Sequence, residues 1–115
     1  MGSDCLFCAI VAGEIPSTVV YETDQVLAFR DINPQAPTHV VVIPKTHHDD
    51  AVSIAEADPA LAAALVAAAG AVARQEGIDE PGYRLVFNNG PDAGQSVPHV
   101  HCHLLGGRPM AWPPG

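Results

Sequence analysis

Positive charge is scarce in this chain. Five Lys and Arg stand against thirteen Asp and Glu, a formal charge of −8 with His neutral. A field of that sign repels phosphate polymers, so DNA and RNA are excluded as main partners. One small nucleotide is not, because backbone N–H groups and a few side chains hold a phosphate locally. Cysteine is sparse and odd in number, three in all, which argues against a disulfide framework and leaves a metal or thiols. The opening MGSDCLFCAI lacks the basic flank and long apolar stretch of a signal peptide, and Leu6 stands where a myristoylation pattern requires Ser or Thr. A cytoplasmic location is expected. The longest apolar run, Pro59 to Ala73, is mostly Ala and shorter than the ~20 residues of a membrane span, so it reads as a buried helix and no membrane partner is expected. There is no repeat, linker or low-complexity tract, and residues 1–115 read as a single domain.

What is present alternates between strand and helix signals. Ser3 or Asp4 would cap a brief helix through Cys5 and Cys8, placing both thiols on one face, with Gly13 as its stop. STVVYE and QVLAFRD, separated by TD, predict a hairpin, and THVVVIPK a third strand ending at Pro44. Asp58 and Pro59 start a long helix that Gly77 closes. Leu61, Leu65 and Val72 mark one apolar stripe on it. Ala62, Ala63, Val66, Ala69, Gly70 and Ala73 leave little of the other face polar, so this helix is expected to meet a second partner in a homodimer. YRLVFN and PHVHCHLL read as the last two strands, joined by the turn-rich NGPDAGQSV. The order implies an α+β domain with one long and one short helix and a largely antiparallel sheet.

PHVHCHLL carries the chemistry. On a strand, His99, His101 and His103 would form a row while Val100, Cys102 and Leu104 face the core. A solvated polar face explains one histidine better than three. A metal site resists the outer pair, whose Cα atoms would lie about 13 Å apart at ~3.3 Å per residue, so at most one or two are ligands. Nucleophilic catalysis uses all three. A neutral imidazole, with its ordinary pKa of ~6.5, attacks at pH 7 and leaves well once phosphorylated, which makes phosphoryl or nucleotidyl transfer the natural class. The loop NNGPDAGQS just upstream has the glycines and short polar residues that turn N–H groups toward an oxyanion, although it lacks the Lys and following helix of a P-loop.

HVHCHLL is similar to the histidine triad signature. With FCAIVAGEIPSTVVYE, LAFRDINPQAPTHVVVIPK, NNGPDAGQSVPHVHCHLLGGR and WPPG, the chain resembles the histidine triad nucleotide-binding proteins, in their purine nucleoside phosphoramidase branch. That resemblance implies a five-stranded antiparallel sheet in a homodimer that acts on purine nucleoside monophosphates and their amides, with aminoacyl adenylates as a further substrate class. It makes His101 the nucleophile on the α-phosphorus, forming a nucleotidyl-histidine that water hydrolyses. His99 and His103 flank it, with His103 touching the phosphate. Ser96 would hydrogen-bond near the leaving group, and Asn88, Gly94 and Gln95 would hold phosphate oxygens. Asp31 would bind the ribose hydroxyls, Ile32 would lie against the base, His39 would support the triad, and Trp112 would reach the partner's site. DINP is otherwise a strand-ending turn, but an acceptor-only carboxylate at Asp31 suits a diol.

Cys5 and Cys8 at C-x-x-C spacing, with His47 and His99, would complete a tetrahedral zinc site. Two buried thiols, a redox pair or a local disulfide are the bland alternatives. His48 is a substitute for His47, which the family pattern favours. Such a zinc would be structural, with no metal needed for the chemistry. Cys102 stands at an apolar position of the motif and reads as core packing. His103 argues against the uridylyltransferase relatives, which have Gln there. Two other functions fit the sequence: a dinucleoside polyphosphate hydrolase, and a nucleotide-sensing or scaffold protein with incidental turnover. Ala111 replaces a polar residue found in some relatives, which bears on leaving-group preference.

Overall fold

Side-chain alternation along the β-branched runs decides which layer each residue joins. The computed structural model describes residues 5–115, as α1 (Leu6–Val11), β1 (Val19–Glu22), β2 (Val26–Arg30), β3 (Thr38–Pro44), α2 (Ala51–Ala57), α3 (Pro59–Gln75), β4 (Tyr83–Phe87), one 3₁₀ turn (Pro91–Ala93) and β5 (Cys102–Gly106). The strands form one antiparallel sheet in the order β1-β2-β3-β5-β4. Val26, Ala28, Val40, Val42, Cys102 and Leu104 point to one face and pack on Ile54, Leu61, Leu65, Ala69 and Val72 of α2 and α3. Leu27, Phe29, Val41 and Ile43 point to the other and pack on Phe7 of α1. With both faces covered, all seven residues of β3 are buried. The α+β class and the antiparallel sheet are as the sequence implied.

The helices differ from the reading in three respects. The expected caps Ser3 and Asp4 lie outside the described residues; α1 begins after Cys5, whose sulfur accepts from the Cys8 N–H at 3.4 Å. A third helix, α2, was not foreseen. It is capped by Asp50, which accepts from the Ser53 N–H at 2.9 Å, and places only Ile54 in the core. Pro59 disfavours helical geometry at Asp58, so α2 ends there and α3 restarts, with the Asp58 carboxylate accepting from the Leu61 N–H at 3.1 Å. At the far end Gly77 adopts φ +73°, and Ile78 N–H reaches the Ala73 carbonyl at 3.0 Å, a Schellman closure of the kind Gly permits. Ala69 and Ala73 of the supposed second face are buried in the core; Pro59, Ala60, Ala63, Val66 and Ala67 are the apolar residues of α3 left exposed. Among the described residues no helix is long and apolar enough to cross a membrane.

Candidate active site and candidate metal centre

The triad does not form a regular row, because β5 begins only at Cys102. Upstream, His99 N–H bonds the Val97 carbonyl at 2.8 Å and Val100 N–H bonds the His48 carbonyl at 2.7 Å, so residues 97–101 bend across the end of the sheet. Parity still holds. Val100, Cys102 and Leu104 enter the helix-side core, and the three histidines face the α1 side. Cys102 is fully buried and burial pushes its thiol up to about 12, as core packing requires.

Hydrogen bonds to the main chain assign His39, His99 and His101 their tautomers, and His39 in turn assigns that of His103. The Gln35 N–H donates to His39 Nδ1 at 3.0 Å, so the His39 proton resides on Nε2. That proton faces His103 Nδ1 at 2.9 Å and an Asp31 oxygen at 3.4 Å; the shorter partner takes it. His103 then accepts at Nδ1 and carries its proton on Nε2, a donor toward the cavity it lines. Burial, with His101 and His39 adding like-charge repulsion, lowers His103 to about 4. Burial also lowers His39, against the pull of Asp31. At neutral pH His103 is therefore an uncharged donor. His101 is the reverse case: its Nδ1 bonds the His99 carbonyl at 2.8 Å, which leaves the Nε2 lone pair toward the cavity. No buried side-chain nitrogen or oxygen among the described residues lacks a partner. The same hydrogen-bond directions speak against a metal between Asp31, His39 and His103, although their ligand atoms cluster. A metal on His39 Nε2 would need a proton on Nδ1, where the Gln35 N–H already points.

Two cavities meet here. A polar one of about 460 Å³ is lined by His39, Asn88, Gly94, His101 and His103. An apolar one of about 320 Å³ is lined by Leu6, Ile10, Ile15, Phe29 and Ile32. Phe7, Asp31, Val41, Ser96 and Val97 belong to both. Asp31 thus stands at the junction of apolar and polar space, with one oxygen accepting from the Asn33 N–H at 2.8 Å. Ile32 lies at the rim, fully exposed. Gly94 adopts φ +88° at the end of the 3₁₀ turn, which presents main chain rather than a side chain to the cavity.

One expected residue is placed elsewhere. Gln95 does not line the cavity. Its N–H bonds the Gly90 carbonyl at 3.1 Å, its side-chain oxygen accepts from the Gly90 N–H at 2.8 Å, and its amide nitrogen donates to the carbonyls of Asp49 at 2.7 Å and Val97 at 3.1 Å. With its donors committed to these carbonyls, it pins the loop. Trp112 is 82% exposed and lines neither cavity of its own chain.

His99 turns away toward Cys5, Cys8 and His47. Its Nε2–H donates to the Pro44 carbonyl at 2.9 Å, so Nδ1 presents a lone pair, 3.3 Å from Cys5 Sγ and 3.5 Å from Cys8 Sγ. His47 Nδ1 lies 3.3 Å from Cys8 Sγ, and its Nε2 meets Asp49 Oδ1 at 3.2 Å. Tetrahedral zinc, with Zn–S ~2.3 Å and Zn–N ~2.1 Å, requires S···N separations of about 3.6 Å. All four ligand atoms lie within 4.8 Å of one another. Both histidines have the outer hydrogen bond that orients a zinc ligand. The set fits zinc, and His47 rather than His48 supplies the imidazole. Nothing in the side-chain types signals Pro44, Gln35 or His48 as partners, since each acts through its main chain. Phe7 was missed because an apolar residue between two cysteines looks like any helix residue.

A family model described as the HIT domain matches residues 12–110. The match begins after both cysteines. A 14 kDa zinc-binding protein of Zea mays is 53% identical over 116 residues, covering 98% of this chain and 89% of that protein. Adenylylsulfatase HINT1 of Arabidopsis thaliana is 49% identical over 116 residues, covering 98% of this chain and 78% of that protein. The crystal structure of a HIT family hydrolase from Legionella pneumophila Philadelphia 1 superposes with a TM-score of 0.93 at 54% identity, covering 97% of this chain and 100% of that one.

Proposed function

This chain belongs to the HIT domain family, and from that premise we propose that it hydrolyses purine nucleoside 5′-phosphoramidates through a nucleotidyl-histidine on His101. The observation that carries this reading is the pair of opposed tautomers: His101 offers a lone pair and His103 an N–H to the same polar cavity. His101 Nε2 bonds to the α-phosphorus as the P–N bond breaks. The proton on Nδ1 stays with the His99 carbonyl, whose dipole stabilises the positive ring that results. The His103 Nε2–H and the Asn88 side-chain amide hold the phosphate oxygens, and Gly94, whose N–H is engaged by the Pro91 carbonyl at 3.0 Å, leaves room for the phosphate beside the loop. Ser96, at the junction of the cavities, relays a solvent proton to the departing amine, its oxygen accepting one as its hydroxyl gives one up, and the proton is returned to solvent when water cleaves the intermediate. Water then cleaves the phosphorus–histidine bond and releases the monophosphate. Asp31 accepts the ribose hydroxyls, and the base lies in the apolar cavity beside Ile32.

Zinc held by Cys5, Cys8, His47 and His99 supplies a cross-link, since four protein ligands leave no open position for water. It ties α1 to the catalytic segment. The exposed apolar side of α3, with Val66 48% exposed, supports a homodimer that would also bring Trp112 near the partner's cavity. Parallel assays with an adenosine 5′-phosphoramidate and a diadenosine polyphosphate test the reading, with an adenylyl sulfate as third substrate because one relative is named an adenylylsulfatase. The phosphoramidate should turn over with the highest kcat/KM. Faster turnover of the polyphosphate, or none of any, would reject the assignment.

A further inference from the structure

Phe7 is the residue immediately before Cys8 on α1, between the two thiol ligands, and its ring reaches the triad. It is 7% exposed. Its ring centroid lies 4.9 Å from that of His101 at an interplanar angle of 82° and 5.9 Å from that of His99 at 79°. His101 also meets His103 at 4.9 Å and 73°. The bond to the His99 carbonyl selects the His101 tautomer, yet torsion of an imidazole about its Cβ–Cγ bond lies in a broad well, and one hydrogen bond limits it weakly. Two near-perpendicular ring contacts limit it further. Phe7 itself sits on a helix of six residues, far below the ~12 needed for a helix to hold alone in water. Its position depends on what α1 is tied to, which is the sheet through the contacts of Phe7 with Leu27, Phe29, Val41 and Ile43 and the metal through Cys5 and Cys8.

We infer that Phe7 is a positioning residue for the nucleophile, and that zinc, by holding α1 through Cys5 and Cys8, sets the orientation of the His101 imidazole from outside the reacting centre. This rests on the reading of His101 as nucleophile. Phe7 also walls the apolar cavity, and that role alone would appear in KM. Positioning appears in the rate of bond formation, because a near-attack geometry is lost when the ring rocks.

The test uses Phe7→Leu, which keeps an apolar side chain and removes the ring, with Phe7→Tyr as the conservative rescue. Zinc content should stay at one per chain in both. In Phe7→Leu the single-turnover rate of nucleotidyl-histidine formation should fall about tenfold at saturating substrate, and Phe7→Tyr should restore most of it. Chelation of the wild type, below the melting temperature of the metal-free protein, should reproduce the loss. Chelation of Phe7→Leu should add little, because both perturbations act through one contact. The ¹³C relaxation of the His101 ring should report larger motion in zinc-loaded Phe7→Leu. A loss confined to KM, or unchanged ring motion, would overturn the inference. The relaxation arm decides for Phe7 even if the wild type forms no nucleotidyl-histidine, a result that would count against the proposed function alone.

Discussion

Acidification should destabilise this fold through His103 before most carboxylates titrate. The ring is half-buried and lowered to about 4, against an ordinary value of ~6.5 in the unfolded chain. A base whose folded value is depressed binds its proton more readily when unfolded. Its contribution is therefore complete above pH ~6.5 and is lost as the pH falls toward 4. The full difference corresponds to about 3 kcal/mol, most of which is lost between pH 7.5 and 4.5. The proton is shared in practice with His39, 2.9 Å away, so the pair titrates as a unit. Urea unfolding across this range, for wild type and His103→Gln, isolates the effect. The amide oxygen of Gln keeps an acceptor for the His39 N–H but does not titrate. The stability of wild type relative to His103→Gln should drop by about 2 to 3 kcal/mol over that range. Parallel curves would refute the tautomer chain, because a ring already charged at neutral pH has no such cost.

Ser96→Ala should slow release of a basic amine by about 10²-fold and release of a good leaving group far less; equal losses across an amine series would show that Ser96 only binds. Cys5→Ser with Cys8→Ser should abolish zinc binding and lower the melting temperature by roughly 10 °C, while leaving activity within about tenfold of wild type. A folded but wholly inactive metal-free protein would mean that the metal takes part in the chemistry. Val66→Asp on the exposed side of α3 should convert a sedimenting dimer to monomer. A wild type already monomeric at micromolar concentration would reject the helix interface.

The strands and α3 were legible because their signals are local: β-branched runs in β2 and β3, and the Asp58–Pro59 start with the Gly77 stop. The α2 helix was not, since its seven residues contribute one core side chain, Ile54, and no readable stripe. In the site, the side-chain types of the triad and of the Cys5, Cys8, His47 and His99 set were visible as spacing. What divides their labour was not. His99 leaves the row because main-chain bonds at residues 97–100 bend the chain, and tautomers are assigned by carbonyls and one N–H that every sequence possesses. Gln95 shows the converse. Its type suggested a phosphate donor, while the fold spends its donors on closing the loop.

The central claim is a bond between His101 Nε2 and phosphorus, and rapid-quench trapping tests it most directly. Wild type mixed with an adenosine phosphoramidate labelled at the α-phosphorus should give acid-labile, base-stable label on the peptide that contains His101, formed and lost at rates compatible with turnover. His101→Ala should bind the nucleoside monophosphate, trap no label and lose at least about 10³-fold in kcat. Label on another residue, or turnover by His101→Ala near the wild-type rate, would contradict the account.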